Sequence, residues 1–316
     1  MQVVARGVLV AALALLAGQT PAATPIPVML LDGESGGPWH QWQLTTPVLE
    51  KALEDAGLFR VDVVTAPAAE GTLTGFRPRF EQYGVVVMNY DAPDERWPAD
   101  LKSAFQAYVA GGGGLVVVHA ANNAFTGWPE FNAMIGVGGW RGRTEKSGPY
   151  WYLENGKLVS NDAPGEAGSH GRRVPFAITI RDGSHPITSG LPAVWMHQGD
   201  ELYARLRGPG RQMQVLATAF SDPANAGSGR EEPMLMALSY GRGRIFHTTL
   251  GHDVNGMSCV GFVTTLQRGV EWAATGAVTQ EVPSTFPTAD TVSYRADLAA
   301  MAPSYSKGLN PLDAPR

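Results

Sequence analysis

The stretch Gly111-Gly112-Gly113-Gly114-Leu115-Val116-Val117-Val118-His119-Ala120 decides how this chain is read. Four glycines stop whatever precedes them, and a β-branched run follows. A short apolar run bounded by a glycine stop reads as a strand buried on both faces. Strands of that kind belong to parallel sheets covered by helices on each side. In such sheets the ligand crevice lies outside the carboxyl ends of the strands. His119, the first polar residue after the run, is therefore expected at the mouth of that crevice.

The flanking sequence predicts the same architecture. Pro27–Leu31 reads as a first strand. Thr46-Pro47 predicts a helix start, with threonine as the N-cap and proline at the first helical position. Leu49, Leu53 and Ala56 keep one face apolar, and Gly57 ends the helix. Arg60–Thr65 and Val85–Tyr90 read as two more strands. Pro98 opens a helix carrying Leu101, Phe105 and Tyr108, which Gly111 stops. This order predicts a doubly wound α/β sheet. Residues 122–173 are loop-rich, punctuated by Gly136, Gly138, Gly139, Gly142, Gly148 and Gly156; so long a connection usually carries function or disorder. Phe176–Ile180, Gln214–Phe220, Met234–Tyr240 and Arg244–Leu250 read as further strands, the last two joined by the tight turn Tyr240-Gly241-Arg242-Gly243. Phe262, Leu266, Val270 and Ala273 mark a final amphipathic helix stopped by Gly276.

The two ends read differently from the body. Residues 1–23 carry Arg6, an apolar Ala/Leu/Val run and the small residues Thr20-Pro21-Ala22-Ala23, the pattern of an export signal. A periplasmic or secreted protein is expected, with no membrane association once the signal is cleaved, since no other segment has 18 uninterrupted apolar residues. Residues 277–316 read as a Pro-rich tail, extended against the body or partly disordered. The 316 residues carry a net charge of −5 with no basic stripe, which argues against nucleic acid as a partner. Cys259 is the single cysteine, so no intramolecular disulfide forms and cysteine-rich zinc sites are excluded. A lone thiol of this kind is expected to be buried and inert. The oligomeric state is not legible in the sequence.

Polar clusters fall where strands should end: Asp32-Gly33-Glu34 with His40 nearby, Asn89-Tyr90-Asp91, His119 with Asn122-Asn123, and Gly251-His252-Asp253. Parallel strands would bring these residues to one edge. A further cluster, His197-Gln198-Gly199-Asp200-Glu201, is expected in a loop. His170, in Gly168-Ser169-His170-Gly171, reads as part of a flexible loop able to fold over a site. A lone histidine at a strand end is more often a hydrogen-bonding residue than a ligand, and Asp32-Gly33 is a common turn dipeptide. Motifs of the G-x-S-x-G, P-loop, H-E-x-x-H and G-x-G-x-x-G types are absent.

Several motifs in fixed order nevertheless resemble the ThuA-like (trehalose utilisation) family. They are Gly112–Ala120, His185–Pro192, Asp200-Glu201-Leu202-Tyr203, Tyr240–Phe246, Gly251-His252-Asp253 and Arg268–Ala274, within residues 26–276. Gly138–Arg143 and Leu206–Pro209 resemble its secreted branch. The resemblance implies a class I glutamine amidotransferase-like fold, a flavodoxin-like three-layer sandwich with a mostly parallel sheet. Amidotransferases of that fold carry a cysteine after the strand matching Val116–His119. Here His119-Ala120-Ala121 holds neither cysteine nor serine, so thiolate-dependent glutaminase chemistry is excluded. Family members often read Asn-His-Asp-Trp after the first strand; here His40 and Trp42 survive with altered spacing. Many relatives carry aspartate where this chain has Asn122.

The family setting is disaccharide catabolism, including 3-keto-sugar routes. The leading expectation is an enzyme acting on a sugar or 3-keto-glycoside by hydrolysis, elimination or isomerisation. His119, Asp200, Glu201 and His252 are the candidate catalytic residues. Asp32, Trp42, Asn89, Asn122, Trp140, Arg143 and His197 are the candidate substrate contacts. A keto group acidifies neighbouring C–H bonds, so a histidine or glutamate base could start the reaction. Paired carboxylates at Asp200-Glu201 would push one pKa towards neutrality. A divalent metal such as zinc, held by His40, His119 and His252, could polarise a carbonyl or activate water. The competing expectation is a non-catalytic carbohydrate-binding protein on a degenerate amidotransferase scaffold. A purely structural role would not need clustered histidines.

Overall fold

The computed structural model describes Gln2 and residues 24–35 and 39–302. The expected export signal over residues 1–23 lies outside the described residues, Gln2 apart. In chain order the elements begin with β1 (Ile26–Asp32), α1 (Trp42–Glu54), β2 (Phe59–Thr65), β3 (Val85–Met88), α2 (Ala99–Ala110) and β4 (Gly114–Val118). The glycine-rich middle holds α3 (Pro129–Ile135), β5 (Tyr150–Glu154), β6 (Lys157–Asn161) and β7 (Ser169–His170). Then come β8 (Val174–Ile180), β9 (Val194–Asp200), β10 (Tyr203–Ala204), β11 (Gln214–Phe220), β12 (Glu231–Tyr240) and β13 (Gly243–Thr248). Three helices close the chain: α4 (Val254–Met257), α5 (Val260–Thr275) and α6 (Ala296–Ala299).

The main sheet runs β2-β1-β3-β4-β13-β12-β11-β8-β9. Its first five strands are parallel, and every pairing from β13 to β9 is antiparallel. The sheet is thus mixed, where a mostly parallel one was expected. The alternation has a consequence for the site: β9 runs in the same direction as β4 and β13. Residues at its carboxyl end leave the sheet on the same edge as His119.

Side-chain alternation divides the core in two. Val28 and Leu30 of β1, with Val116 and Val118 of β4, pack beneath α1 and α5. Met29 and Leu31, with Leu115 and Val117, pack beneath α2 and α3 on the other face. Both faces of β4 are therefore buried, as its unbroken apolar run requires. Helix α5 approaches the sheet closely. A Cβ on Gly269 would stand 2.0 Å from the Phe246 ring, and one on Gly261 2.2 Å from Trp195.

Two local expectations are corrected. Helix α1 begins at Trp42, and Pro47 lies inside it. The Gln41 carbonyl already accepts the Leu44 and Thr45 amides. The Thr45 and Thr46 hydroxyls, free of capping duty, accept from Asn89 Nδ2 at 2.9 and 3.0 Å. His197–Asp200 is strand and not loop, because the inward positions of β9 alternate apolar Trp195 with polar His197. In the C-terminal segment, Thr288 and Ser293 carbonyls accept the amides of Met196 and Val260, and Leu298 is fully buried. Residues 283–302 thus lie as a strap across β9 and the start of α5.

Candidate metal centre

His119 is the first residue beyond β4 and adopts φ 45°. The left-handed region is costly for a residue with a Cβ, and such strain clusters at functional sites. His119 is almost fully buried. Its Nδ1 lies 2.6 Å from the Thr249 carbonyl oxygen, which can only accept. The ring proton therefore sits on Nδ1 and the lone pair on Nε2. That Nε2 is buried with no hydrogen-bond partner among the described residues.

Three other side chains meet it. The rings of His40 and His252 have centroids 5.2 and 5.3 Å from His119 and 4.9 Å from each other. Glu201 places Oε2 3.1 Å from His252 Nδ1 and 3.7 Å from His119 Nε2. One ligand atom from each of His40, His119, Glu201 and His252 lies within 4.8 Å of all the others. This set can hold a divalent metal ion. The expected ligands His40, His119 and His252 converge, and Glu201, expected to act as an acid or base, joins them.

The electrostatics fit a cation. Burial, then the charges of His252 and His119, hold His40 well below its usual pKa, so it is a neutral donor. Burial would raise Glu201, but its contacts with His119 and His252 and the charge of His252 take it well below the carboxylate range. Burial opposes a charge on His252, yet its contact with Glu201 raises its pKa. A buried carboxylate among three imidazoles thus draws a proton to the cluster, the charge a metal ion would supply instead.

Asp200 does different work from its neighbour. Its Oδ1 accepts the amides of Glu201 and His252 at 2.8 and 3.0 Å. Its Oδ2 accepts the Gly251 amide at 2.7 Å and His197 Nε2 at 2.9 Å. Burial works against its charge, but these donors hold the carboxyl below its usual range. His197 is raised to about 10, where Cys259 and Asp200 outweigh burial. Asp200 is therefore a buried clamp that joins the end of β9 to the loop carrying His252. Both carboxyls of the Asp200-Glu201 pair are lowered, so the expected rise of one towards neutrality is not found.

His40 and Glu201 of the cluster line a cavity of about 270 Å³ together with Trp39, Asp91, Asn123, Trp140, Arg141, His170 and Tyr203. Tyr203 Oη lies 3.1 Å from His40 Nε2, and its ring stacks 3.9 Å from that of His119. Arg141 donates to Asp91 at 2.7 Å. Trp140 and Arg141 are consecutive residues at φ 50° and 46°, a strained turn that aims both side chains into the cavity.

Of the expected sugar contacts, only Trp140 lines this cavity. Trp42 lines an adjoining depression that shares His40, Asp91 and Arg141. Asp32 is buried, and burial raises its carboxyl against hydrogen bonds with Thr65 and Thr46. Asn89 is committed to α1. Asn122 Nδ2 lies 3.1 Å from His247 Nε2 in the core. Arg143 is buried and donates to the carbonyls of Asn123, Gly139 and Ala124. His197 lies behind Asp200. Trp39, Asp91, Asn123, Arg141, His170 and Tyr203 were not among the expected site residues. Cys259 is buried beneath β9 and is not part of a catalytic pair with any of the clustered histidines.

The fold agrees with the comparisons. Residues 28–273 match the ThuA family, described as trehalose utilisation, and the chain belongs to that family. A thua-like protein of Parabacteroides merdae is 47% identical, with a TM-score of 0.84 over 87% of this chain and 99% of its own. A second thua-like protein, from Bacteroides uniformis, shares the fold at 19% identity and a TM-score of 0.55, over 83% of this chain and 96% of its own. No curated protein matches the sequence.

Proposed function

We propose that this protein is an exported enzyme of carbohydrate catabolism. It acts on a sugar or 3-keto-glycoside beside a divalent metal, zinc in the first instance, held by His40, His119, His252 and Glu201. The observation that carries the reading is the convergence of those four ligand atoms, with His40 and Glu201 lining an aromatic-walled cavity. Imidazole and carboxylate donors suit zinc, and His40, His119, His252 and Glu201 would hold such an ion beside the cavity. When bound, such an ion polarises a carbonyl oxygen and acidifies water beside it.

The side chains of the cavity do the remaining work. Trp39 and Trp140 offer ring faces to a pyranose, while Asp91, Asn123 and Arg141 offer acceptors and donors for its hydroxyls. His170 Nδ1 lies 2.8 Å from the Gly171 carbonyl oxygen, so in the neutral ring Nε2 keeps the lone pair. That Nε2 is 3.5 Å from Glu201 Oε1, beside the ligand cluster. It is placed to take a proton from water or from a C–H bond next to a keto group. Glu201, ionised and committed to the cluster, is a ligand first.

Metal analysis of the purified protein, with a turnover screen of 3-keto-glycosides and their parent disaccharides, tests the reading. About one metal per chain and chelator-sensitive turnover are expected. Sugar binding with neither metal nor turnover would overturn it in favour of a carbohydrate-binding protein.

A further inference from the structure

The two-stranded ribbon of β7 and β10 separates two cavities. At one end His170 pairs with Tyr203, and both line the cavity of the metal centre. At the other end the Gly168 amide donates to the Arg205 carbonyl, and the flanking segments line a second cavity of about 370 Å³. We infer that this second cavity binds a small oxyanion: a phosphate, a sulfate or the carboxylate of a sugar acid.

Arg205, Arg207 and Arg230 are among its lining residues. Arg207 is 5% exposed, an unusual depth for an arginine without a carboxylate partner. Its Nη2 donates to the Ala163 carbonyl at 2.6 Å and its Nη1 approaches that of Gly148 at 3.5 Å, while Nε is buried with no partner. Carbonyl dipoles satisfy protons but leave the charge in place. Arg205 is exposed at φ 57°, a backbone region few residues with a Cβ occupy, and its guanidinium makes no ion pair among the described residues. Arg230 pairs with Glu154 and lies over the Tyr152 ring at 4.6 Å.

Among the described residues no carboxylate forms an ion pair with Arg205 or Arg207, although the Arg205 amide donates to Glu232 at 3.3 Å. Glu166 lines the cavity but is exposed, and Glu145 accepts the Gly165 amide from outside. Glu232 lies beneath, fully buried, accepting from Tyr150 and Ser228 at 2.5 Å each, and burial pushes its carboxyl up to about 7. The guanidiniums of Arg205 and Arg207, neither in an ion pair among the described residues, match an oxyanion, because the planar fork of arginine fits its paired oxygens. The volume lies within the usual span for small-molecule sites.

Isothermal titration of the whole protein with inorganic phosphate, sulfate and glucuronate tests the inference without reference to turnover. Saturable binding of at least one anion is expected, weakened about tenfold or more in Arg205→Ala and weakened again by about 0.5 M sodium chloride. Arg205 is exposed, so this variant keeps the fold; Arg207→Lys, which keeps the charge and loses the fork, should also weaken binding. Preference for glucuronate assigns the site to a sugar acid, and preference for phosphate or sulfate assigns it to the free ion or its ester. Absence of binding overturns the inference. So does binding that Arg205→Ala leaves unchanged, which would place the anion at the metal centre instead.

Discussion

At the scale of single residues, the four ligands are separable from the groups that hold them. Replacing His119 and His252 together with alanine should abolish stoichiometric metal, measured by elemental analysis after dialysis; full occupancy in that variant would discard the assignment. Acid should also release the ion. His252 is raised above the ordinary histidine value, so protons compete with metal from above pH ~6.5, while His40 stays neutral. A metal titration between pH 8 and 5 should show affinity falling throughout, and a flat profile would exclude His252. Asp200→Asn tests the clamp. It leaves His197 without its anion and loosens three amides, so a loss of about 3 kcal/mol in stability is expected from urea unfolding, near the lower end for a broken buried pair. Weaker metal binding in whatever protein remains folded should accompany it.

The same scale shows where sequence reading stops. The meeting of His119 and His252 was legible because both follow parallel strands whose carboxyl ends share one edge, and His40 because it lies a short loop beyond β1. Of the side chains that wall the cavity, Trp140 was named from the sequence, whereas Trp39, Asp91, Asn123 and Arg141 were not. Asn122 and Asn123 are adjacent, and consecutive side chains leave the backbone on different sides, so one lies in the core and the other at the cavity. The φ values at Trp140 and Arg141 help decide which arginine lines the cavity, and φ is not written in composition. His170 gave a signal, a histidine between glycines, but its pairing with Tyr203 is a long-range contact.

At the scale of elements, strands β1, β3 and β4 were readable because each is an apolar run beside a glycine or proline stop, and β2 because its valines recur between charged residues. Strand β9 was not, because its inward residues include His197 and Asp200, which a hydrophobic pattern marks as loop. Helix α5 was readable from its apolar stripe, but its closeness to the sheet was not. That closeness gives a sharp expectation. Gly269→Ala places a methyl group against Phe246 and should cost about 1–3 kcal/mol, the usual range for overpacking. Urea midpoints of the variant and the parent protein measure it. An unchanged midpoint would mean that α5 can move off the sheet without penalty.

At the scale of the whole molecule, the strap of residues 283–302 closes over the fold after the family-matched segment has ended. Phe286 packs against Trp195 at 5.5 Å, and Leu298 is fully buried among residues of the α1–α5 face. Burying two such side chains is worth roughly 3–6 kcal/mol. Truncation after residue 282 should therefore lower the thermal midpoint substantially, read by scanning calorimetry. A midpoint within a degree of the full chain would make the strap an ornament.

Cys259 sits where that strap meets the body: it bridges to Tyr294, precedes α5 and has no exposed surface. As the chain's single thiol, it is silent towards a water-soluble disulfide reagent until the strap lifts. The rate at which the native protein is labelled is then a clock for that opening. It runs on a colour change, in unmodified protein, with no second cysteine to confuse the count.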